Sequence, residues 1–395
     1  MTFRAIPSRR AAAVQMPIIP TVAGWIAETP GTISLGQGVV GYGPPKSAAA
    51  AIRGFFARPD LHKYLPDAGL PGLRSAFEEK LRRENGIDAP FARRIIVTAG
   101  ANQAFLNAVL CICDPGDEVV LLSPYYFNHE MAIALAGARA VCVPTDERYQ
   151  PRLPAIAAAI TRRTRAVVTV SPNNPTGAVY PEGTLRAINR LCADAGVFHI
   201  SDEAYEYFTY DGAAHCSPGS GGNDAHTISL YSLSKSHGMA SWRVGFLVAP
   251  EALYDELLKI QDTNAICAPA IAQCVGLAAL RERRAWRASR LRSIAAVRRQ
   301  VFARLAAVPR LLTVPPSRGA FYFFVKVRTA LPAIRVAERL VREHKVAVIP
   351  GETFGAGDGC RLRIGYGSLS EKTAAEGIDR LVNGLASILR ARRRG

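Results

Sequence analysis

Hydrophobic residues in the middle of the chain fall into short runs that alternate with longer, helically periodic stretches. Apolar runs at 95–97, 118–122, 140–143, 165–170 and 197–201 have the length of strands, and the stretches near 102–112, 127–136, 153–160 and 182–195 have helical periodicity. Two more strand-like runs follow at 227–231 and 244–248. Short, nearly continuous apolar strands that alternate with helices indicate βαβ units. We therefore expect a mostly parallel sheet sandwiched by helices.

The pattern changes after about residue 290. A long helix rich in arginine and alanine is followed by strand-like runs at 321–325, 346–349 and 361–364, a helix at 331–344 and a final helix. Fewer strands among these helices predict a smaller α+β domain. The first forty or so residues are rich in proline, so we expect an irregular arm that packs on a neighbour. The expected division of this α/β protein is residues 1–45 (an arm and part of the small domain), 46–290 (the large domain) and 291–395 (the small domain).

Composition narrows the class of protein. No apolar stretch reaches 18 residues, which argues against a membrane span, and no continuous apolar leader follows the N-terminal arginines, so we expect a cytoplasmic protein. The net charge of +17 and the arginine-rich tail at 390–395 raise the alternative of nucleic-acid binding. The arginines are scattered along the whole chain without a nucleic-acid-binding motif, and we expect instead a small anionic substrate.

Cysteine and histidine spacing points away from a metal site. The eight cysteines include no CxxC pair, and the seven histidines include no HExxH motif. We expect the cysteines to be buried free thiols in a reducing compartment, and we expect no metal ligands.

Lys235 is the first candidate for chemistry. It follows the apolar run at 227–231, is flanked by Ser234 and Ser236, and precedes Arg243 by eight residues. A lysine held at a strand end near a cation has a lowered pKa and can form a Schiff base with a carbonyl. The alternative is a solvated lysine on a serine-rich loop.

A second candidate segment, 98–103, lies directly after a predicted strand and begins a helix. Its residues Gly100, Ala101 and Asn102 are small enough for backbone N–H groups to approach an anion, and the helix dipole favours negative charge there. The spacing matches neither the dinucleotide-binding nor the P-loop pattern. The segment is therefore a possible phosphate cradle, with a plain helix cap as the alternative.

Polar residues also follow two further predicted strands. Asn174, in the segment NPTG, projects beyond the run at 165–170, where ligands of α/β sheets bind, although a plain turn has the same appearance. Asp202, in the segment DEAY, ends the next strand, and a buried carboxylate there needs a positive partner. A protonated pyridine nitrogen is such a partner, with Tyr205 beside it; an ion pair with one of the many arginines is the alternative.

Together these segments resemble the fold type I pyridoxal-phosphate enzymes of the class I/II aminotransferase family over nearly the whole chain. The resemblance is carried by NPTG at 174–177, DEAY at 202–205, SLSK at 232–235 and SWRVG at 241–245. Segments at 37–40, 98–105, 124–128 and 205–208 are similar to the plant aromatic aminotransferases that use methionine as donor. The resemblance implies transamination between an L-amino acid, aromatic or methionine favoured, and a 2-oxo acid.

The resemblance also implies residue roles around pyridoxal 5′-phosphate. Lys235 would hold the cofactor as an internal aldimine and move the substrate proton, and Asp202 would keep the pyridine nitrogen protonated. Tyr205 and Asn174 would bond the phenolic oxygen. Tyr126 would stack on the face of the pyridine ring. The phosphate would be bound by Gly100, Ala101, Asn102, Ser232 and Arg243, with Tyr64 reaching in from the second subunit of a homodimer.

Substrate recognition is implied for a smaller set. Arg363 would bind the α-carboxylate through a bidentate pair, although Arg361, two residues away, shares the same strand face. Gly38 would let the N-terminal segment close over the substrate, and Tyr42 and the aromatic pair at 321–322 are candidates for the wall of a side-chain pocket. No second arginine dedicated to a dicarboxylate is evident.

Three other functions remain open from the sequence. An aspartate-type or broad-specificity aminotransferase and a carbon–sulfur β-lyase share the cofactor residues. A non-catalytic cofactor-binding regulator is a third reading, against which both Lys235 and Arg363 argue. For the dimer, the alternative is that Tyr64 packs within its own subunit.

Overall fold

The structure is a computed structural model that describes residues 6–391. Residues 1–5 and 392–395, the latter holding most of the arginine-rich tail, lie outside the described part. The helices are α1 (Arg9–Ala13), α2 (Ile18–Ala27), α3 (Ser47–Phe56), α4 (Pro71–Lys80), α5 (Phe91–Arg94), α6 (Ala101–Ile112), α7 (Phe127–Leu135), α8 (Leu153–Ala159), α9 (Glu182–Ala195), α10 (Tyr254–Ala265), α11 (Ala270–Leu280), α12 (Arg284–Ala306), α13 (Ala333–His344) and α14 (Glu371–Ala391). The strands are β1 (Ile33–Ser34), β2 (Ile95–Thr98), β3 (Glu118–Ser123), β4 (Arg139–Pro144), β5 (Thr164–Val170), β6 (Phe198–Asp202), β7 (Thr227–Ser232), β8 (Gly245–Val248), β9 (Leu312–Thr313), β10 (Tyr322–Val327), β11 (Val346–Ala347), β12 (Ile349–Pro350) and β13 (Arg361–Gly365).

The seven strands predicted in the middle of the chain form one sheet in the order β2-β8-β7-β6-β5-β3-β4. Strands β3 to β7 pair in parallel, whereas β8 runs antiparallel to both of its neighbours. Most positions of these strands are buried, because helices pack on both faces. The expected α/β fold with a mostly parallel sheet is confirmed.

A second, antiparallel sheet has the order β12-β13-β10-β9 and packs with α12 and α14. The run at 346–349, expected as one strand, is two: β11 pairs with β1 from the N-terminal arm, and β12 pairs with β13. The boundary expected at residue 290 falls inside α12, which is continuous from Arg284 to Ala306. The division into domains stays a prediction.

The N-terminal arm differs from the irregular segment expected, because it contains α1 and α2. Pro20 lies in the first turn of α2, where amide groups have no intrahelical partner, so a proline is tolerated there. Ile18 and Val22 are buried against this chain's own residues, and Trp25 packs beside them. The arm therefore buries part of its apolar surface on its own chain, while Ile6 and Met16 stay exposed.

The cysteines are free thiols, as expected, but they are not uniformly buried. Cys192 and Cys360 are buried, whereas Cys142 is exposed and the rest are half-buried. Within residues 6–391, none of the helices combines the length and the apolar character needed to cross a membrane.

Candidate active site

The segments with candidate residues meet at one edge of the large sheet. Asp202 ends β6, Asn174 follows β5, and Lys235 follows β7, so all three leave the carboxyl ends of neighbouring parallel strands. Strand β2 also ends at this edge, since Thr98 and Ser232 both pair with Gly245 of β8. The fold thus collects residues that are far apart in the chain.

Most of the candidate residues for binding the cofactor and the substrate line a single cavity at this edge, whereas Gly100 and Tyr64 do not. Those that line it are Gly38, Ala101, Asn102, Tyr126, Asn174, Asp202, Tyr205, Ser232, Lys235, Arg243 and Arg363. Tyr64 is 82% exposed and does not reach the cavity of its own chain.

One end of the cavity is built to receive an anion. Helix α6 begins at Ala101, without a side-chain cap for its free N–H groups. Gly100, at φ 84°, lies so close to Arg243 that a Cβ would enter the guanidinium group. Arg243 is held by hydrogen bonds to the carbonyls of Ala99 (3.0 Å) and Ala240 (2.9 Å). Positive charge and unsatisfied N–H groups therefore converge, as a phosphate requires.

Asp202 lies in the interior, 5% exposed, with each carboxylate oxygen engaged. The backbone N–H of Ala204 donates to Oδ1 at 3.0 Å, and His129 Nε2 lies 3.1 Å from Oδ2. His129 stacks on Phe105 with ring centroids 3.9 Å apart. Its Nδ1 has no hydrogen-bond partner among the described residues, so the proton that faces Asp202 is assigned to Nε2.

Lys235 Nζ donates a hydrogen bond to the carbonyl of Gly38 at 2.6 Å. Burial of the amine, followed by the positive charges of Arg363 and Arg243, lowers its pKa to about 8, while Asp202 opposes that shift. The neutral amine, which is the form that attacks a carbonyl, is therefore much more abundant near physiological pH than for an ordinary lysine.

Arg363 and Arg361, which the sequence could not separate, have different surroundings. Arg363 is 2% exposed and donates to Asn174 Oδ1 and to the Gly36 carbonyl, both at 2.8 Å. Arg361, nearer the start of β13, is paired with Asp358 outside this cavity. Only Arg363 lines the cavity.

Close approach explains the glycine at position 38. A Cβ there would lie 2.9 Å from the Tyr322 hydroxyl and 3.9 Å from Arg363 Nη2. Of the aromatic residues expected to wall the pocket, Tyr322 lines the cavity, whereas Phe321 is in the core of the small sheet. Tyr42 points elsewhere, since its hydroxyl donates to the Lys235 backbone carbonyl at 3.1 Å.

The sequence did not reveal His129, nor Tyr322 as a hydrogen-bonding group, nor the apolar lining residues Ile19, Val39 and Phe127. The hydroxyls of Tyr322 and Tyr205 are 2.7 Å apart. The available signal for His129 was its position three residues after Tyr126, on the same face of a helix that starts at the sheet edge. Tyr322 gave no local signal, because it belongs to the other sheet.

Comparisons with known proteins agree with this geometry. A family model described as aminotransferase class I and II matches residues 30–381. The aromatic aminotransferase ISS1 of Arabidopsis thaliana is 36% identical over 97% of both chains. The aspartate aminotransferase of Pyrococcus abyssi is 37% identical over 81% of this chain and 83% of its own. A solved structure of a Thermus thermophilus aspartate aminotransferase tetra mutant complexed with tryptophan superposes with a TM-score of 0.90 at 34% identity, covering 97% of this chain and 100% of that chain.

Proposed function

Because the chain belongs to the aminotransferase class I and II family and is therefore a pyridoxal-phosphate-dependent transaminase, we propose that it transfers the amino group of an aromatic L-amino acid or methionine to a 2-oxo acid. The name of the plant relative supports an aromatic donor. The name of the archaeal relative supports the alternative, an aspartate-type donor. The lining of the cavity favours the former.

The observation that carries the donor preference is the apolar part of the cavity. Ile19, Val39 and Phe127 line it, and its cations within residues 6–391 are Lys235, Arg243 and Arg363. We assign all three cations to the cofactor and the α-carboxylate, which leaves none of this chain's described cations for a second carboxylate. Apolar walls gain free energy from an aromatic or thioether side chain and none from a charged one.

The donors and acceptors around the cavity fit pyridoxal phosphate. We assign the phosphate to Gly100, Ala101, Asn102, Ser232 and Arg243, because unsatisfied N–H groups and a guanidinium meet there. The pyridine nitrogen is assigned to Asp202, a buried carboxylate that lines the cavity, and the ring face to Tyr126. We assign the phenolic oxygen to Tyr205 and Asn174. The bound cofactor supplies an electron sink for the charge that develops on the substrate α-carbon.

The chain's own groups then have the following roles in the reaction. Arg363 binds the substrate α-carboxylate, and its bond to Asn174 fixes the plane of the guanidinium. Lys235, as a neutral amine, takes the proton from the substrate α-carbon. The Asp202 carboxylate holds a proton on the pyridine nitrogen, and its contacts with His129 and the Ala204 N–H fix its orientation.

The assembly and location of the enzyme are proposed on separate grounds. We propose a homodimer in which Tyr64 binds the phosphate of the partner's site, because Tyr64 is 82% exposed and Phe56 nearby is 67% exposed. Ile18 and Val22 of the N-terminal arm are buried on their own chain, but Ile6 and Met16 of the same arm are exposed and favour a partner surface. We also propose a cytoplasmic location, which the eight free cysteines favour.

An activity matrix of amino donors against 2-oxo acids tests the donor preference. We expect tyrosine, phenylalanine, tryptophan and methionine to be used with higher kcat/KM than aspartate. Ile19→Ala should lower kcat/KM for aromatic donors about tenfold, since it removes apolar contact, and should leave alanine nearly unchanged. Ile26→Ala is the matched control, because Ile26 lies on the same helix outside the cavity.

Two outcomes of that matrix would contradict the donor assignment. Aspartate as the preferred donor would show that another residue binds the second carboxylate, and release of pyruvate and ammonia from a cysteine conjugate as the main activity would indicate the β-lyase. The cofactor assignment is tested separately. The purified protein should absorb in the visible, and borohydride should remove the band and leave the cofactor on Lys235; a reduced adduct on another lysine would refute that assignment.

A further inference from the structure

Two buried tyrosine hydroxyls meet inside the cavity, one from each sheet. Tyr205 follows β6 of the large sheet, and Tyr322 begins β10 of the small sheet. Their oxygens are 2.7 Å apart, and their rings are nearly perpendicular, at 72°. Tyr205 is 4% exposed and Tyr322 is fully buried, so the bond is shielded from solvent.

The two hydroxyls carry two protons but share only one hydrogen bond. Either oxygen can be the donor in that bond, and within residues 6–391 neither hydroxyl has another hydrogen-bond partner. One proton of the pair is therefore left for an acceptor in the cavity, since buried donors rarely stay unpaired. Burial raises the pKa of Tyr205 well above its ordinary range and that of Tyr322 to about 12, so both hydroxyls keep their protons near neutral pH.

The charges that face the pair set the direction of the bond. The Arg363 guanidinium carbon lies 4.6 Å from the centre of the Tyr322 ring, whereas Lys235 Nζ is 5.9 Å from that of Tyr205. A third tyrosine, Tyr126, also lines the cavity. A positive charge against a phenol ring withdraws electron density and strengthens its O–H as a donor. The nearer charge therefore favours Tyr322 as the donor.

We propose that Tyr322 is a positioning residue that donates to Tyr205, so that Tyr205 directs its own proton at the phenolic oxygen of the cofactor. This inference rests on the proposed function, in which Tyr205 bonds that oxygen. A hydroxyl that accepts a hydrogen bond becomes a stronger donor, because bonds in a chain polarise one another. Tyr322 thus strengthens the Tyr205 bond without touching the cofactor.

The experiment is a pH titration of the visible absorption of the holoenzyme, for the wild type and for Tyr322→Phe. The Tyr205 bond favours the anionic oxygen, which favours loss of the chromophore's proton, so a weaker bond raises the titration midpoint. We expect Tyr322→Phe to raise the midpoint of the titration by about 0.5 pH units and Tyr205→Phe to raise it further. Phenylalanine keeps the ring and its packing on Arg363, and thermal unfolding of each variant checks the fold.

Tyr149→Phe is the matched control. It removes a buried hydroxyl that bonds the carbonyl of Phe324 on β10 at 3.2 Å, outside the cavity, and it should leave the midpoint unchanged. In the double variant of Tyr205 and Tyr322, the midpoint should equal that of Tyr205→Phe alone, because Tyr322 acts through Tyr205.

Each other outcome has a definite meaning. A fall in the midpoint for Tyr322→Phe would show that Tyr205 is the donor within the pair, and no change would show that the pair does not reach the cofactor. An additive rise in the double variant would show that Tyr322 acts independently of Tyr205. All three overturn the inference. A wild-type protein without a visible band would instead refute the proposed cofactor site.

Discussion

His129 Nε2 lies 3.1 Å from Oδ2 of Asp202, at a buried contact between α7 and the end of β6. The imidazole ring also stacks on Phe105, which restricts its movement away from the carboxylate. The Ala204 N–H donates to the second oxygen, and Asp202 also lines the cavity. Orientation of this carboxylate is therefore built into the protein before any ligand binds.

The first prediction concerns His129→Phe, which keeps the stacking on Phe105 and removes the hydrogen bond. We expect kcat to fall about tenfold, because a hydrogen bond to a charged group contributes about 1.5 kcal/mol and Asp202 then orients less well. Steady-state kinetics measure the change. In an Asp202→Asn background the same substitution should cost almost nothing; an equal loss there would show that His129 does not act through Asp202.

The second prediction is that Asp202→Asn impairs turnover far more than it impairs folding. A neutral amide no longer favours the protonated pyridine nitrogen, and kcat should fall by about 10²- to 10³-fold. The melting temperature should change by only a few degrees, since asparagine fills the same space. Near wild-type turnover would remove Asp202 from its assigned role.

The third prediction is a pH dependence of Lys235 in protein stripped of cofactor. Its pKa of about 8 lies below the ordinary lysine value, so the amine is protonated below pH 8 and neutral above it. The rate of recombination with pyridoxal phosphate should therefore rise with pH up to about 8 and level off beyond it. Stopped-flow absorbance across a pH series measures this rate.

Arg363→Gln should shift the midpoint of that pH profile to higher pH, because it removes one of the positive charges that lower the pKa of Lys235. Arg361→Gln is the matched control, since Arg361 is paired with Asp358 and lies outside the cavity. Equal shifts for the two variants, or a wild-type midpoint near 10.5, would contradict the electrostatic origin of the low pKa.

The fourth prediction separates backbone strain from phosphate binding. Gly100→Ala places a Cβ in the Arg243 guanidinium, so cofactor affinity should fall by at least about tenfold. Gly196→Ala has a similar φ, +66° against +84°, but open space around its Cβ. Gly196→Ala should lose about 1 kcal/mol of stability and Gly100→Ala more, because Gly100 at ψ 170° lies in a region that is essentially restricted to glycine, whereas Gly196 at ψ 30° is left-handed; only Gly100→Ala should lose cofactor in dialysis. Equal retention would place the phosphate elsewhere.

The fifth prediction tests the shared site of the proposed homodimer. Tyr64→Phe subunits mixed with Lys235→Ala subunits give dimers in which one site combines an intact Lys235 with the partner's intact Tyr64. Cofactor affinity at that site should recover relative to Tyr64→Phe alone. A monomer in sedimentation, or no recovery on mixing, would exclude the contribution of Tyr64 to a neighbour's site.

Much of the site could be predicted because its residues follow strands. Asn174, Asp202 and Lys235 each come directly after a buried strand, and parallel strands end at one edge of a sheet. A polar residue that directly follows an apolar run can therefore be placed at this edge of the sheet from the sequence alone. The same argument located the small residues before α6.

Other features depend on contacts between distant segments. The prolines of the N-terminal arm predict an irregular segment. Helix α2 nevertheless forms, because its apolar side chains pack into a hydrophobic cluster with residues of the large sheet. Arg363 and Arg361 occupy equivalent positions in the alternation of β13, and only the surroundings of each, Asn174 for one and Asp358 for the other, distinguish them.

The sequence by itself determined the large sheet and the strand ends that hold Asp202 and Lys235, because periodicity and strand termini are local properties of the chain. The tertiary structure alone decided that His129 supports Asp202 and that Tyr322, 117 residues from Tyr205, shares its hydrogen bond. Such pairs depend on how separate helices and sheets pack, and the packing energy comes from many residues at once. No single segment encodes them.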